Sequence, residues 1–210
     1  MTEPVKERAP GTSGAALHAF VERYRRADER LFGVVDTARD KDLAFDGAVR
    51  FGWAIEWLFG EGAAAHLKDV APYLVSMAYQ SRYPYPESEY LDLWAERLGR
   101  AAGILLVTAA GADAVWNHFR SVFVLEDERG RKGYLRFYDP RVLPKLLSEY
   151  SREGAERFFG PVRLILMEAD TPGSLLVCYL EGGRVVMDEV PIVSPEGVSN
   201  DRDNGSVREL

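Results

Sequence analysis

The run Gly133-Tyr134-Leu135-Arg136-Phe137-Tyr138-Asp139-Pro140-Arg141-Val142-Leu143 constrains this chain more than any other stretch. Tyr134, Phe137 and Tyr138 have the bulk that suits a pleated, half-buried strand. Pro140 disfavours helical geometry at Asp139 and presets its own φ for a first helical turn. Asp139 is thereby placed as an N-cap, its carboxylate facing the free N–H groups of that turn. From there Val142, Leu143, Leu146, Leu147 and Tyr150 fall on one face of a helix. The spacing predicts a strand over 134–138, a corner, and a helix to Tyr150. Arg136 and Arg141 flank the joint. On one reading they are surface charges around a capping aspartate. On the other, Arg136, Asp139 and Arg141 form a hydrogen-bonding cluster that fixes two elements and turns a guanidinium toward a partner's carboxylates or backbone acceptors.

Around this corner, short apolar runs predict strands over 31–36, 72–77, 103–107, 122–125, 163–168, 174–180 and 184–190. Helical spacing predicts helices from Gly14, over 87–98 and over 112–119. Trp53, Ile55, Trp57, Leu58 and Phe59 make an aromatic cluster between strands. Strand and helix alternate up to about residue 120, which favours parallel pairing through crossover helices. Polar turns at 127–131 and at Gly182-Gly183 then add hairpins. The expected fold is α/β, a mixed sheet with a parallel N-terminal part and antiparallel C-terminal hairpins, with room for a small helical lobe. Residues 1–13 are expected to be disordered and 195–210 to be a flexible polar tail. That leaves 14–194 as a single domain of one or two lobes.

Composition narrows the function classes. The net charge of −7 argues against nucleic acid or an anionic membrane as the main partner. No run approaches the roughly 20 apolar residues of a membrane span, and Met1–Gly14 lacks the apolar centre of a signal peptide. The single cysteine, Cys178, sits in an apolar run and reads as inert packing in a reduced compartment. A cytoplasmic location is expected.

No constellation of catalytic motifs is present: no Gly-x-Ser-x-Gly, no phosphate loop ending in Lys-Ser or Lys-Thr, no His-Glu-x-x-His. His18, His66 and His118 fall on different elements without metal-ligand spacing, so neither metal nor cofactor is expected. Among the carboxylates, Asp36 follows an apolar strand and is the best single candidate for a site at a strand's carboxyl end, with a turn or capping role as the simpler reading. The loop 79–86, with Tyr79, Tyr83, Tyr85 and two prolines, offers an aromatic contact surface or a plain packed loop.

The Tyr134–Leu143 pattern, followed by Arg157-Phe158-Phe159-Gly160-Pro161-Val162, resembles the type VI secretion effector chaperone (adaptor) family. Leu31–Ala38, Leu58–Gly62, Val70–Val75 and the stretch from Trp94 to Phe119 agree in order, so the resemblance spans about residues 30–165. It implies a binding protein without catalytic residues. Such a protein holds a cognate effector, typically by its N-terminal region, and helps load it on the VgrG or PAAR spike. Arg136, Tyr138, Asp139 and Arg141, with Tyr83 and Tyr85, are the expected partner-binding residues. The alternative is a small α/β hydrolase or nucleotide-handling enzyme using Asp36 and neighbouring carboxylates.

Overall fold

The computed structural model describes residues 13–45, 54–59, 70–76, 87–126 and 129–193. Helix α1 (Gly14–Tyr24) begins where the Ser13 side chain accepts from the Ala16 N–H, and buries Leu17, Phe20 and Val21. Strand β1 (Arg30–Asp36) follows, then a helical stretch α2 (41–45). Next come β2 (Ala54–Trp57), β3 (Pro72–Ser76), α3 (Glu87–Ala95), β4 (Gly103–Thr108) and α4 (Ala112–Phe123). A short hairpin, β5 (Val124–Glu126) and β6 (Lys132–Tyr134), precedes α5 (Leu143–Glu149) and α6 (Arg152–Phe159). The chain ends its described part in β7 (Leu164–Glu168), β8 (Ser174–Glu181) and β9 (Arg184–Pro191).

Seven strands form one sheet in the order β2-β3-β1-β4-β7-β8-β9, and β5-β6 stand apart. The α/β class and the C-terminal hairpins are as the sequence predicts. The parallel N-terminal part is not: β1 pairs antiparallel with both β3 and β4, and β2 with β3. Two connections do cross over, β1 to β2 past β3 and β3 to β4 past β1, and each of these skips a strand. Helix α3 links β3 to β4 across β1, so strands of like direction never touch. The alternation was misleading because β1, β3 and β4 are buried on both faces, apart from Arg30 at the start of β1. Strands covered on both sides lose the period-two pattern and resemble those of a parallel sheet.

Gly33 faces α3, where an added Cβ would lie 3.2 Å from the Tyr90 hydroxyl and 3.4 Å from the Trp94 ring. By alternation Phe32, Val34 and Asp36 point to the opposite face. That side holds the corner and the aromatic stack of Phe119 on Phe137 (4.8 Å between centroids), with Phe158 edge-on to Phe137 at 6.0 Å. Helix α6 contacts β8 and β9 on the flank. Arg163, just before β7, closes the other layer: it donates to the Tyr24 carbonyl at 2.6 Å and grips both oxygens of Glu29. Burial raises the Glu29 carboxyl, but Arg163 outweighs it and holds the group below its ordinary value. Cys178 is buried in β8 and its thiol is pushed up to about 12, as an inert packing residue should be.

Candidate functional site

The corner is tighter than the sequence suggests. Strand β6 stops at Tyr134, and Phe137 and Tyr138 lie in a turn with their side chains buried. Asp139 does not cap α5. The N-cap there is Val142, and the proline in the first turn is Pro144 rather than Pro140. Instead the Asp139 carboxylate accepts from the backbone N–H of Arg141 at 3.0 Å and from that residue's Nε and Nη2 at 2.9 and 2.7 Å. Its own carbonyl accepts from the Val142 and Leu143 N–H groups. A short carboxylate can bond to the backbone two residues on, and a proline between the two pins that turn.

Arg136 then brings in a residue 100 positions away. Its Nη2 donates to Asp36 Oδ2 at 3.0 Å and lies 3.3 Å from Asp139 Oδ2. Asp36 and Asp139 are fully buried, whereas the side chains of Arg136 and Arg141 are 48% and 38% exposed. Two carboxylates lie under the surface and two guanidinia stand over them. The hydrogen-bonding cluster of Arg136, Asp139 and Arg141 is therefore real, and Asp36, separately considered as a strand-end acid, is its fourth member. Sequence spacing gave no sign of that union.

The two acids are held differently. Burial, only partly offset by Arg136, pushes the Asp36 carboxyl above its ordinary value. Burial also raises Asp139, but the bonds and charge of Arg141 outweigh it and the net shift is downward. Burial, and next the charge of Asp36, push the Tyr138 hydroxyl up to about 12. The signs have a measurable consequence. A carboxyl lowered by folding adds stability above its unfolded pKa and loses it as pH falls through its folded value. A raised carboxyl does the reverse, costing stability as pH rises from the unfolded value through the folded one. Asp139→Asn should therefore flatten the rise of unfolding free energy with pH across the carboxylate range, and Asp36→Asn should steepen it. Urea unfolding at a series of pH values reads both slopes. Equal slopes in both variants and wild type would mean that the cluster does not distinguish the two acids.

Exposed apolar side chains gather in the same part of the chain as the cluster. Of the five large apolar side chains exposed among the described residues, Leu125, Tyr134 and Val142 belong to the hairpin or the corner. Val70 lies two residues before Pro72, the partner of Asp36 in the sheet, and Val193 alone lies at the far edge. Tyr134 packs on Phe59 and Phe123, with centroids 4.7 and 5.1 Å away. Beyond Phe59 lies Trp57, whose carbonyl accepts from the Trp116 indole at 3.2 Å. The residues 53–59 thus contain a strand, β2, that the aromatic composition concealed. Tyr83 and Tyr85 lie outside the described residues.

His18, Glu22 and Glu87 bring ligand-type atoms within 4.8 Å of one another, a juxtaposition that sequence spacing does not reveal. Arg25 already serves both carboxylates: its Nη1 donates to the Glu87 oxygens at 2.7 and 2.8 Å, and it pairs with Glu22. The group reads as an ion-pair network tying α1 to α3.

An antiparallel sheet with helices on both faces and a polar, arginine-topped corner at one end is the class of protein that this fold and site define. The chain belongs to the family described as Domain of unknown function (DUF4123), which matches residues 31–157, more than half of its length. Comparison with curated proteins and with solved structures gives no match. The matched segment holds the whole corner cluster, from Asp36 to Arg141, and leaves out α1 and β7–β9. Among the described residues no helix is long and apolar enough to cross a membrane.

Proposed function

We propose that this protein is a cytoplasmic chaperone or adaptor that binds a type VI secretion effector and helps load it on the VgrG or PAAR spike. The observation that carries the reading is the coincidence of the family's matched segment with exposed apolar side chains and a rigid arginine corner. An exposed apolar patch beside fixed hydrogen-bond donors suits a protein surface that covers an aggregation-prone segment of a client. The pairing of both buried acids with guanidinia favours a structural role for them over acid–base chemistry, because each carboxylate is already held by an arginine. Asp36, the best acid for the hydrolase alternative, is bound to Arg136 at 3.0 Å.

Arg141 is a poor place to separate binding from folding. Charge reversal there would set a second carboxylate against buried Asp139, so stability and binding would fall together. Leu125, half-exposed on β5, is the better probe. Leu125→Asp should melt within about 2 °C of wild type, as surface substitutions generally do. It should also sharply reduce recovery of the effector when tagged protein is pulled from its native host and the bound polypeptides are identified by mass spectrometry. Full recovery with the variant would move the client surface elsewhere. Recovery of no effector or spike with wild type, in cells expressing the secretion machine, would remove the reading itself. A clear thermal upshift with a nucleotide or divalent ion would favour the enzyme instead.

A further inference from the structure

Strand β9 is the long open edge of the sheet. It pairs with β8 in unbroken register from Glu181↔Arg184 to Ser174↔Pro191, and with no other strand among the described residues. Sheets blunt such edges with short strands, lysines, bulges or prolines. At the opposite edge, β2 is 4 residues long. β9 has 8, with no lysine and no bulge, and its proline is only its last residue. Val185, Val186, Met187 and Val190 stay half-exposed along it. The turn at Gly182 (φ +57°) and Gly183 (φ +78°) has two residues, so Glu181 and Arg184 close it as a hydrogen-bonded pair. That parity continues to Ile192, whose N–H donates to the Gly173 carbonyl at 2.8 Å. The N–H and C=O groups of Val185, Met187 and Glu189 therefore point away from β8. By alternation Val185 and Met187 turn their side chains to the layer of α5 and α6, both of which contact β9. Arg184, Val186 and Asp188 turn to the other face. Arg184 is exposed and makes no ion pair among the described residues, and exposed Asp188 accepts from the Tyr179 hydroxyl at 3.0 Å.

We infer that β9 pairs antiparallel with β9 of a second copy of this chain, about a two-fold axis through Val186, joining two sheets into one. The run Arg184-Val185-Val186-Met187-Asp188 is positive, then apolar, then negative, and so is its own complement when reversed. About that axis Val186 faces Val186 of the second copy, and Arg184 faces Asp188. Val185 faces Met187, and these two carry the backbone groups that point outward, so the pair can exchange N–H···O=C bonds. The register next along, about Met187, sets Val186 against Asp188 and Val185 against Glu189, and leaves Arg184 without an acid opposite. Because the strand carries its own complement, a second copy is the occupant that fits this edge. Cross-strand opposite charges and apolar pairs stabilise such a ladder, and like charges oppose it. The inference stands apart from the chaperone reading, since it needs no client.

Sedimentation velocity of the full chain should show monomer passing to dimer between about 1 and about 200 μM, at about 150 mM NaCl to screen the net charge of −7. Met187→Pro removes an outward N–H and spares the β8 ladder, so it should stay monomeric with a wild-type circular-dichroism spectrum. Arg184→Asp and Asp188→Arg each set like charges opposite one another and should each weaken the dimer about 10-fold. The double variant Arg184→Asp/Asp188→Arg restores opposite charges and should dimerise within about 3-fold of wild type. Thermal melting establishes that each variant keeps its fold. With copper phenanthroline as oxidant, Val186→Cys should lose two thiols to one disulfide across the axis, where facing Cα atoms lie about 4.5 Å apart. Arg184→Cys should not cross-link, and Cys178 is buried. A chain monomeric throughout would overturn the inference and leave the edge to a strand of another protein or to residues 194–210. A dimer indifferent to Met187→Pro, a charge swap that fails to restore it, or equal cross-linking at 184 and 186 would overturn it as well.

Discussion

Gly103→Ala is expected to leave little folded protein. Gly103 opens β4 with φ +157°, a conformation that side chains rarely adopt. A Cβ there would stand 2.1 Å from the Val34 carbonyl oxygen and 3.0 Å from its carbon. The obstacle is backbone of the adjacent strand, paired in register and buried on both faces, so no flexible side chain can yield. Either β1 and β4 separate locally or the substitution does not fold. The expected loss is more than about 4 kcal/mol, the range reserved for backbone strain and disrupted cores. That is a large share of the roughly 5–15 kcal/mol that holds an ordinary domain together. Urea unfolding followed by circular dichroism measures it. A variant with wild-type midpoint would show that the β1–β4 ladder accommodates a methyl group, and that the close approach at its end has no structural weight.

Asp139→Ala should produce the next largest effect. The carboxylate is fully buried, joins one backbone N–H and two guanidinium N–H groups of Arg141, and lies against Arg136. Removing it leaves those donors facing a void, while Asp36 keeps Arg136 and the Ala38 N–H. Breaking a buried pair from one side costs about 3–5 kcal/mol, and water reaching the half-exposed arginines brings the expectation to about 3. For a chain of this size that corresponds to a fall in melting temperature of roughly 6–12 °C. Asp139→Asn should fall between the two, keeping shape but not charge. If Asp139→Ala melted like wild type, the cluster would be a passive surface arrangement, and the rigidity assigned to the corner would be lost with it.

The strands were legible because apolar β-branched runs between turn residues leave few alternatives. Those at 31–36, 103–107, 174–180 and 184–190 fall within a residue or so of β1, β4, β8 and β9. Their direction was not legible. Burial on both faces erased the alternation that distinguishes an antiparallel strand, and α3 links β3 to β4 past an intervening strand. The hairpin was read too long at both ends: α4 continues to Phe123, and β6 ends at Tyr134. There, helix and strand compete for the same apolar residues, and packing of Phe123 on Phe59 and Tyr134 decides. At the corner, residue types were right and roles were not. An aspartate before proline can cap a helix or close a turn on Arg141, and three bonds to one arginine outweigh one cap. Asp36 was singled out alone because nothing local ties residue 36 to residue 136.

That span has a consequence for when the protein can act. The surface proposed for the client is held by a bond between residues 100 positions apart, and it needs the turn at Asp139 as well. A ribosome delivers Asp36 well before Arg136, and β4 waits longer still for its neighbour β7. Until Arg136, Asp139 and Arg141 have been made, then, the corner does not exist. On the function proposed above, folding of this corner precedes any engagement of a client, so the chain must order itself before it can guard another.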